Sequence, residues 1–542
     1  MELERGPRLT GLDEGGGLPM IDGSMQDFPL TLDKFLTHAA KWNPEAEVVT
    51  AQENGSVRRI GYAALHDRAR RVSGVLSDLG IEPGDRVATL AWNSQAHVEA
   101  WYGVMGMGAV CHTLNPRLTA TQLAEMARQS QAKLLIASTD LLPLAHDIAR
   151  LASNIGQVLV IDGEVTPAAR AQALEPLIET VTTSVAWGAF PETAPSGLCF
   201  TSGTTGAPKG VTYTHRSSFL HTLRTLQTDV MAIARTDAVL TVVPMFHANA
   251  WGLPFAVPAA GGRLVLPGRR NDGASLARLI REAGVTVGVG VPTVWLGLVE
   301  HLDATGEEVP TLNRIIVGGA PMPPALMERL EQRLGVSVQT SWGMTELSPS
   351  GTVSPPHDPA RSAAVSGKPA IGVDLLLTDA DGTPLPQQRD IEGHLRVRGA
   401  AVIERYFGQD TPATDGRGWF ATGDLARIDR DGNLIITGRA KDLIKSGGEW
   451  INPAEIEAII GALPQVAQAA VIGRTDPKWG ERPILLVEMR DEALGDDGLL
   501  AALAGRVAPW WVPDAVVRLP ALPLAPTGKI DKIRLRAEHG GA

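Results

Sequence analysis

Thr201-Ser202-Gly203-Thr204-Thr205-Gly206-Ala207-Pro208-Lys209-Gly210 lies between two short apolar runs, Leu198 to Phe200 and Val211 to Tyr213. Glycines let a loop turn its backbone N–H groups inward as an anion nest, and the hydroxyls add further donors. The stretch reads as a cradle for phosphates. A Walker A loop would need Gly, four residues and Gly-Lys-Ser/Thr, whereas Lys209 follows Pro208 and precedes Gly210. The plainer alternative is a polar hairpin between two strands, the commonest use of Gly, Ser and Thr. Two adjacent threonines between glycines weigh toward the cradle.

Outward from this loop, the chain of 542 residues exceeds the size at which one core usually keeps growing, so at least two domains are expected. Its 44% hydrophobic and 20% charged content is that of a folded globular protein, which excludes a disorder-dominated reading. Cys111 and Cys199 stand alone in apolar surroundings and read as buried small side chains, compatible with a reducing compartment. The N-terminus is charged and Gly-rich without a signal-peptide core, and no stretch approaches the length of a membrane span, so a cytoplasmic protein is expected. A formal charge of −11 opposes nucleic-acid binding, so an anionic ligand must be held by locally placed cations and N–H groups.

In chain order, residues 1–28 read as a flexible lead-in, and a first helix follows Thr31, a candidate N-cap. Helix, turn and buried strand then alternate: a helix over Tyr62 to Leu79 closed by Gly80, a strand over Arg86 to Ala91, and the pair within Thr121 to Ser138. The class is α/β. Three later strands end in chemistry-bearing residues: Ala238 to Val243 before His247, Ile315 to Val317 before Gly318-Gly319-Ala320-Pro321, and Val336 to Thr340 before Trp342-Gly343-Met344-Thr345-Glu346. The carboxyl ends of parallel strands open onto the crevice where such folds bind ligands. A purine could lie on the Gly319 backbone. Glu346 is either a solvated loop acid or, beside a phosphate cradle, a Mg²⁺ ligand. A lone His247 fits a hydrogen-bonded structural role better than a catalytic one, and only context separates the two.

From Gly367 the texture changes to short strands with Asp-Gly turns, a β subdomain in which Asp424 follows Trp419-Phe420 and could accept from both hydroxyls of a ribose. After Arg439 and Lys441 comes a further α/β unit, with helices over Pro453 to Ala462 and Leu499 to Val507 and strands over Ala469 to Ile472 and Ile484 to Met489. Lys529 sits near its end on a Gly-preceded loop. The expected architecture is a lead-in (1–28), a large N-terminal α/β domain with a β subdomain (29–440) and a small mobile α/β domain (441–542).

Six ordered stretches, TSGTTGAPKG, PMFHANAWG, SWGMTE, WFATGD, GRAKDLIKSGGEWI and PTGKID, resemble the adenylate-forming acyl-CoA synthetases from about residue 30 to the end. HTLNPRL (His112 to Leu118), MFHANAWG and KSGGEWI are most similar to the medium- and long-chain fatty-acyl-CoA synthetases and their methylmercaptopropionate-CoA ligase relatives. The resemblance implies that Thr201, Ser202, Gly203, Thr204, Thr205, Gly206 and Lys209 hold the ATP phosphates, with Thr204 and Glu346 on Mg²⁺. It implies that Gly319, Ala320, Pro321 and Trp342 line the adenine, that Gly343, Met344 and Thr345 belong to the ATP site, that Asp424 binds the ribose with Arg439 nearby, and that His247 borders the acyl carboxylate. Lys529 would bridge that carboxylate and the α-phosphate, Lys441 would be the hinge, and Lys445, Ser446, Gly447, Gly448, Glu449 and Trp450 would line the path of CoA. The Glu-Trp after the glycines departs from the Tyr-Arg or Tyr-Gln of many relatives.

These roles fit the chemistry, because a carboxylate must be activated before a thiol attacks it. Attack on the α-phosphorus expels pyrophosphate, and CoA then displaces AMP; a hinged domain presents first Lys529 and then the Lys445 to Trp450 face. The expected partners are a small carboxylic acid and, at most, a second copy as a homodimer. Rival readings are an acyl-AMP ligase or adenylation enzyme loading a carrier-protein thiol, an oxidative luciferase, and a nucleotide-binding protein without catalysis. Apolar residues and glycines around Trp251, Gly288, Gly290 and Trp295 fit an acyl pocket or core strands equally.

Overall fold

The computed structural model describes residues 23–163, 171–201, 208–447, 449–525 and 529–541. It has the expected α/β class, with a large N-terminal domain and a smaller C-terminal one. In the larger domain, six strands run parallel: Glu47–Ala51, Arg263–Leu266, Ala238–Thr241, Val287–Gly290, Arg314–Val317 and Ser337–Gly343. Antiparallel strands extend both edges to nine. A second, seven-stranded sheet has the order Ala171–Ala173, Gln157–Ile161, Leu134–Ser138, Arg86–Leu90, Val110–Thr113, Pro195–Phe200 and Gly210–Thr214. Its last pair is antiparallel, so the TSGTTGAPKG stretch does join a hairpin. The residues between these strands, 202–207, lie outside the described residues.

Burial explains the strand composition. Val87, Ala88, Leu90, Leu134, Leu135, Ile136 and Ala137 are all buried, because helices cover both faces of a parallel sheet and both strand faces must be apolar. Local signals set the helix ends: Asp272 accepts from the Ser275 N–H at 2.9 Å to start Gly273–Ala283, and Gly284 at φ +61° ends it. Asn93 ties the two sheets together. Its amide donates to the carbonyls of Thr241 and Val243 at 2.9 and 2.8 Å and accepts from the Met245 N–H at 2.7 Å.

The β subdomain is an antiparallel sheet of Val373–Thr378, Glu392–Gly399, Phe420–Ile428 and Leu434–Arg439. Its core includes Tyr213, Trp342 and Leu347 from the strands beside the crevice, packed with Leu377, Leu395, Val397 and Phe420. Removing those rings from water stabilises the subdomain against the crevice by roughly 25 cal/mol per Å² of apolar surface. A 3₁₀ turn, Ala440–Asp442, leads to the C-terminal sheet, whose longest strands are Val466–Asp476 and Gly480–Met489.

Three local expectations need correction. Thr31 does not cap the first helix, which runs Asp33–Trp42 with Leu32 at the N-cap; the Thr31 hydroxyl accepts instead from the Lys34 ammonium at 2.6 Å, a charged donor. The helix Tyr62–Asp78 is capped at Leu79, with Gly80 one residue beyond at φ +80°. The helix expected over Leu499 to Val507 spans Asp496–Ala501, and the chain then turns through Gly505 at φ +69°. Leu499 and Leu503 are both fully buried, so the apolar spacing outlasts the helical hydrogen bonding that it suggested. Of the lead-in, residues 1–22 lie outside the described residues.

Candidate active site

The strand ends converge as the α/β reading expected. Gly318 follows Val317, and a Cβ there would stand 2.4 Å from Ser341 Oγ and 2.9 Å from Trp251 Cη2, so only glycine fits. Gly319 takes φ +78°, a conformation that side chains resist. Beyond the next strand, Glu346 is buried on the 3₁₀ turn Thr345–Leu347. The Tyr213 hydroxyl donates to the Thr345 carbonyl at 2.9 Å and fixes that turn to the strand Gly210–Thr214. Glu346 Oε1 accepts from the Tyr406 hydroxyl at 2.9 Å, and Lys209 Nζ stands 4.8 Å from the centre of the Tyr406 ring.

Asp424 and Arg439 sit opposite each other in the β subdomain register. Arg439 Nε lies 2.7 Å from Asp424 Oδ1, and Trp342 Nε1 donates to Oδ2 at 2.9 Å. Asp424 is buried, and that burial raises its pKa, while Arg439, Trp342 and Lys529 pull it back. Lys529 belongs to the C-terminal domain, yet its charge acts on Asp424 and on His247 across the crevice. Lys529 is exposed as a residue, yet desolvation, then Arg439, lower its pKa; Asp424 opposes them and Lys441 adds to the lowering.

His247 follows the strand Ala238–Thr241, held by its N–H to Pro244 O at 3.0 Å. Desolvation, then the charges of Lys529 and Arg117, bring its pKa down to about 4. The ring is neutral at pH 7. Directly after it, Ala248, Asn249, Ala250 and Trp251 take φ of +44°, +54°, +46° and +55°, followed by Gly252 at +78°. A left-handed run costs roughly 1–2 kcal/mol per non-glycine residue, and such strain concentrates at functional sites. This turn sets Trp251 against Gly318 and Gly319, so the region next to His247 meets the loop after Val317.

The structure thus joins Trp342, Asp424 and Arg439 in one bonded group and Glu346 and Lys209 around Tyr406, with Thr201 bonded to Lys209; Trp251, four residues past His247, meets Gly318 and Gly319, and the charge of Lys529 acts on Asp424 and His247. Ser202, Gly203, Thr204, Thr205, Gly206 and Gly448 lie outside the described residues. Lys445, Ser446, Gly447, Glu449 and Trp450 form a hairpin in the C-terminal domain, where Lys445 N–H donates to Glu481, Ser446 Oγ accepts from Arg482 and Gly447 N–H donates to Trp479 O. These bonds hold the hairpin within its own domain. Gly288 and Gly290 resolve toward core packing: Trp295 is fully buried, and a Cβ on Gly288 would stand 2.4 Å from its ring. Sequence reading missed Tyr406, Arg117 and the Asn93 clamp. A cleft of about 790 Å³ elsewhere, lined by Trp92, Gln95, Asp140, Asp162 and Arg269 among others, holds none of the residues that the motifs single out.

Among the described residues, no group of three or more His, Cys, Asp or Glu is gathered as a metal cage, and no helix is long and apolar enough to cross a membrane. The buried Glu346 carboxylate suits Mg²⁺, which takes one or two carboxylates and completes its shell with phosphate and water oxygens.

The model of the family described as AMP-binding enzyme matches residues 36–407, and that of the AMP-binding enzyme C-terminal domain matches 455–529. The chain is 40% identical to a 3-methylmercaptopropionyl-CoA ligase of Ruegeria lacuscaerulensis, over 96% of this chain and 99% of the relative. It is likewise 40% identical to a medium-chain-fatty-acid–CoA ligase of Ectopseudomonas oleovorans, over 96% and 97%. The crystal structure of ATP-bound MatB from Rhodopseudomonas palustris is similar with a TM-score of 0.83 and 26% identity, covering 94% of this chain and 99% of that one.

Proposed function

Because the chain belongs to the AMP-binding enzyme family and is an AMP-forming acid–thiol ligase that uses ATP and CoA, we propose that it makes the CoA thioester of a hydrophobic acid, medium- or long-chain or arylalkanoic. The observation that carries the residue assignments is the bonded group of Asp424, Arg439 and Trp342, on which the charge of Lys529 from the C-terminal domain also acts. This is the arrangement in which an acid and ATP react. We take 29–440 and 441–542 as the two moving bodies, and a cytoplasmic location.

In this reading the adenine lies against Gly319 to Pro321 and Trp342 to Thr345, and Asp424 receives the ribose hydroxyls with Arg439 beside it. Asp424 already accepts from Trp342 and Arg439, so its carboxylate is held rigid before the nucleotide arrives. Thr201 to Lys209 cradles the phosphates. Glu346 and Thr204 would hold Mg²⁺, which would supply charge that offsets the crowding of phosphate oxygens. As the acid attacks the α-phosphorus and pyrophosphate departs, negative charge gathers between carboxylate and phosphate, where the Lys529 ammonium stabilises it. Neutral His247 borders the carboxylate without adding a second cation beside Lys529. The Lys445 to Trp450 hairpin then replaces the Lys529 face and guides the CoA thiol to the carbonyl, releasing AMP.

Trp251 and Val291, packed around Gly319, give the acid an apolar wall. The test is AMP release with a panel of alkyl and aryl acids, in the presence of CoA or of carrier protein. Turnover of hydrophobic acids only with CoA supports the proposal; turnover only with carrier protein replaces it by the carrier-loading alternative.

A further inference from the structure

Residues 401–407, which no sequence motif singled out, join the two halves of the phosphate end of the crevice. At one end the Ile403 N–H donates to Glu346 O at 2.8 Å, and Ser348 Oγ donates to Ala401 O at 2.9 Å. At the other end the Phe407 N–H donates to Gly210 O at 2.8 Å. The approach there is close, since a Cβ on Gly210 would stand 2.9 Å from Phe407 Cβ. The segment is therefore stapled both to the turn that carries Glu346 and to the strand that leaves the phosphate loop.

Tyr406 stands between these staples and uses its two parts separately. Its hydroxyl donates to Glu346 Oε1 at 2.9 Å, and its ring faces the Lys209 ammonium at 4.8 Å. A carboxylate with one oxygen tied cannot rotate freely, and its other oxygen keeps a fixed direction. A cation over a ring face is held without being neutralised, so Lys209 keeps its charge for an anion.

We propose that Tyr406 is a positioning residue that presets Glu346 and Lys209, and so couples the cation-binding carboxylate to the phosphate loop before ATP arrives. The proposal rests on the assignment of Glu346 and Lys209 to the phosphate end of the site. Tyr406 itself touches neither phosphate nor metal in this scheme; it acts through the two residues that do.

The experiment uses Tyr406→Phe and Tyr406→Leu in the full chain, with acid-dependent pyrophosphate exchange measured across a Mg²⁺ titration. Hydrogen bonds to charged groups are strong enough that loss of this one raises the Mg²⁺ needed for half-maximal exchange about tenfold. Tyr406→Phe does this with the KM for ATP nearly unchanged, because the ring remains under Lys209, whereas Tyr406→Leu also raises the KM for ATP. CoA-dependent release from supplied acyl-AMP stays at the wild-type rate in both, which a general structural defect would not allow. In a Glu346→Ala background, Tyr406→Phe produces no further Mg²⁺ shift. A wild-type titration for Tyr406→Phe, or an equal shift with Glu346 absent, overturns the proposal. Failure of the underlying assignment looks different, for Glu346→Ala itself then leaves the Mg²⁺ titration unmoved.

Discussion

Arg439 and Asp424 form an ion pair of 2.7 Å that is buried on one side only: the aspartate side chain is 2% exposed and the arginine side chain 41%. The carboxylate therefore bears most of the desolvation, and its pKa is raised despite the partner. A carboxyl whose folded pKa lies above its unfolded value favours the folded state most below the unfolded pKa, and that contribution is lost as pH rises through the folded pKa. At pH 7 the ionised Asp424 thus costs stability. Asp424→Asn is expected to melt at or above the wild-type temperature at pH 7, with the advantage shrinking toward pH 4, while the KM for ATP rises roughly 10- to 100-fold through loss of charged hydrogen bonds to the ribose. Thermal melts across pH and ATP kinetics check the two halves; a destabilised variant at pH 7 would mean that the ion pair outweighs desolvation.

Lys529→Ala is expected to slow acyl-adenylate formation by about 10²- to 10³-fold, the usual cost of one preorganised donor, while sparing thioester formation from supplied acyl-AMP. Equal damage to both steps contradicts the assignment. The lowered pKa of Lys529 adds a pH signature, since the ammonium is lost as pH rises. Pyrophosphate exchange should fall on the alkaline side, and Lys441→Met, which removes one of the cations that lower this pKa, should move the fall to higher pH. A basic limb that does not respond to Lys441→Met belongs to another group.

The left-handed run after His247 predicts an inverted mutational cost. Ala250 and Ala277 are both fully buried, so replacing either by glycine removes the same methyl group. In the helix Gly273–Ala283, Ala277→Gly also loses roughly 1 kcal/mol of helix propensity. At Ala250, with φ +46°, glycine instead relieves roughly 1–2 kcal/mol of left-handed strain. Ala250→Gly should therefore be about 2 kcal/mol less destabilising than Ala277→Gly in denaturant titrations. Equal costs would show that the turn carries no strain.

The parts legible in the sequence were those encoded by local pattern. Apolar runs before Pro244, Gly318 and Ser341 marked strands whose ends do meet, and the Gly/Thr-rich stretch sat where two strands turn. What escaped were contacts between segments far apart in the chain. Nothing near Tyr406 signals that its hydroxyl meets Glu346, 60 positions away, and Asn93 clamps a segment about 150 residues downstream. Four consecutive positive φ values on Ala248 to Trp251 are equally silent, because alanine and tryptophan are not residues that announce left-handed backbone. Trp295 beside Gly288 and Gly290 shows the converse: the composition of an acyl pocket and of a helix–sheet core is the same until packing separates them.

The proposed pivot, Lys441, lies inside the 3₁₀ turn Ala440–Asp442 that separates the β subdomain from the C-terminal sheet. Asp442 is tied to Arg536 of the final helix at 3.1 Å, so it travels with the smaller domain, whereas Arg439 stays with the larger one in its pair with Asp424. The backbone between them has to absorb any rotation. A 3₁₀ turn has φ near −50° to −70°, close to the −65° that proline imposes, so Lys441→Pro suits the arrangement seen, with Lys529 in the crevice, at a small cost to Ala440. Ala440→Pro suits it too, since Ala440 opens the turn and Arg439 before it is extended at φ −118° and ψ 127°. If rotation occurs at Lys441 alone, Ala440→Pro spares both half-reactions. Lys441→Pro then keeps acid-dependent pyrophosphate exchange and loses CoA-dependent release from preformed acyl-AMP. Both variants should melt within a few degrees of wild type, because the turn lies between cores rather than in one. Loss of thioester formation in both places the pivot across the whole turn, and wild-type behaviour of Lys441→Pro in both assays moves it elsewhere.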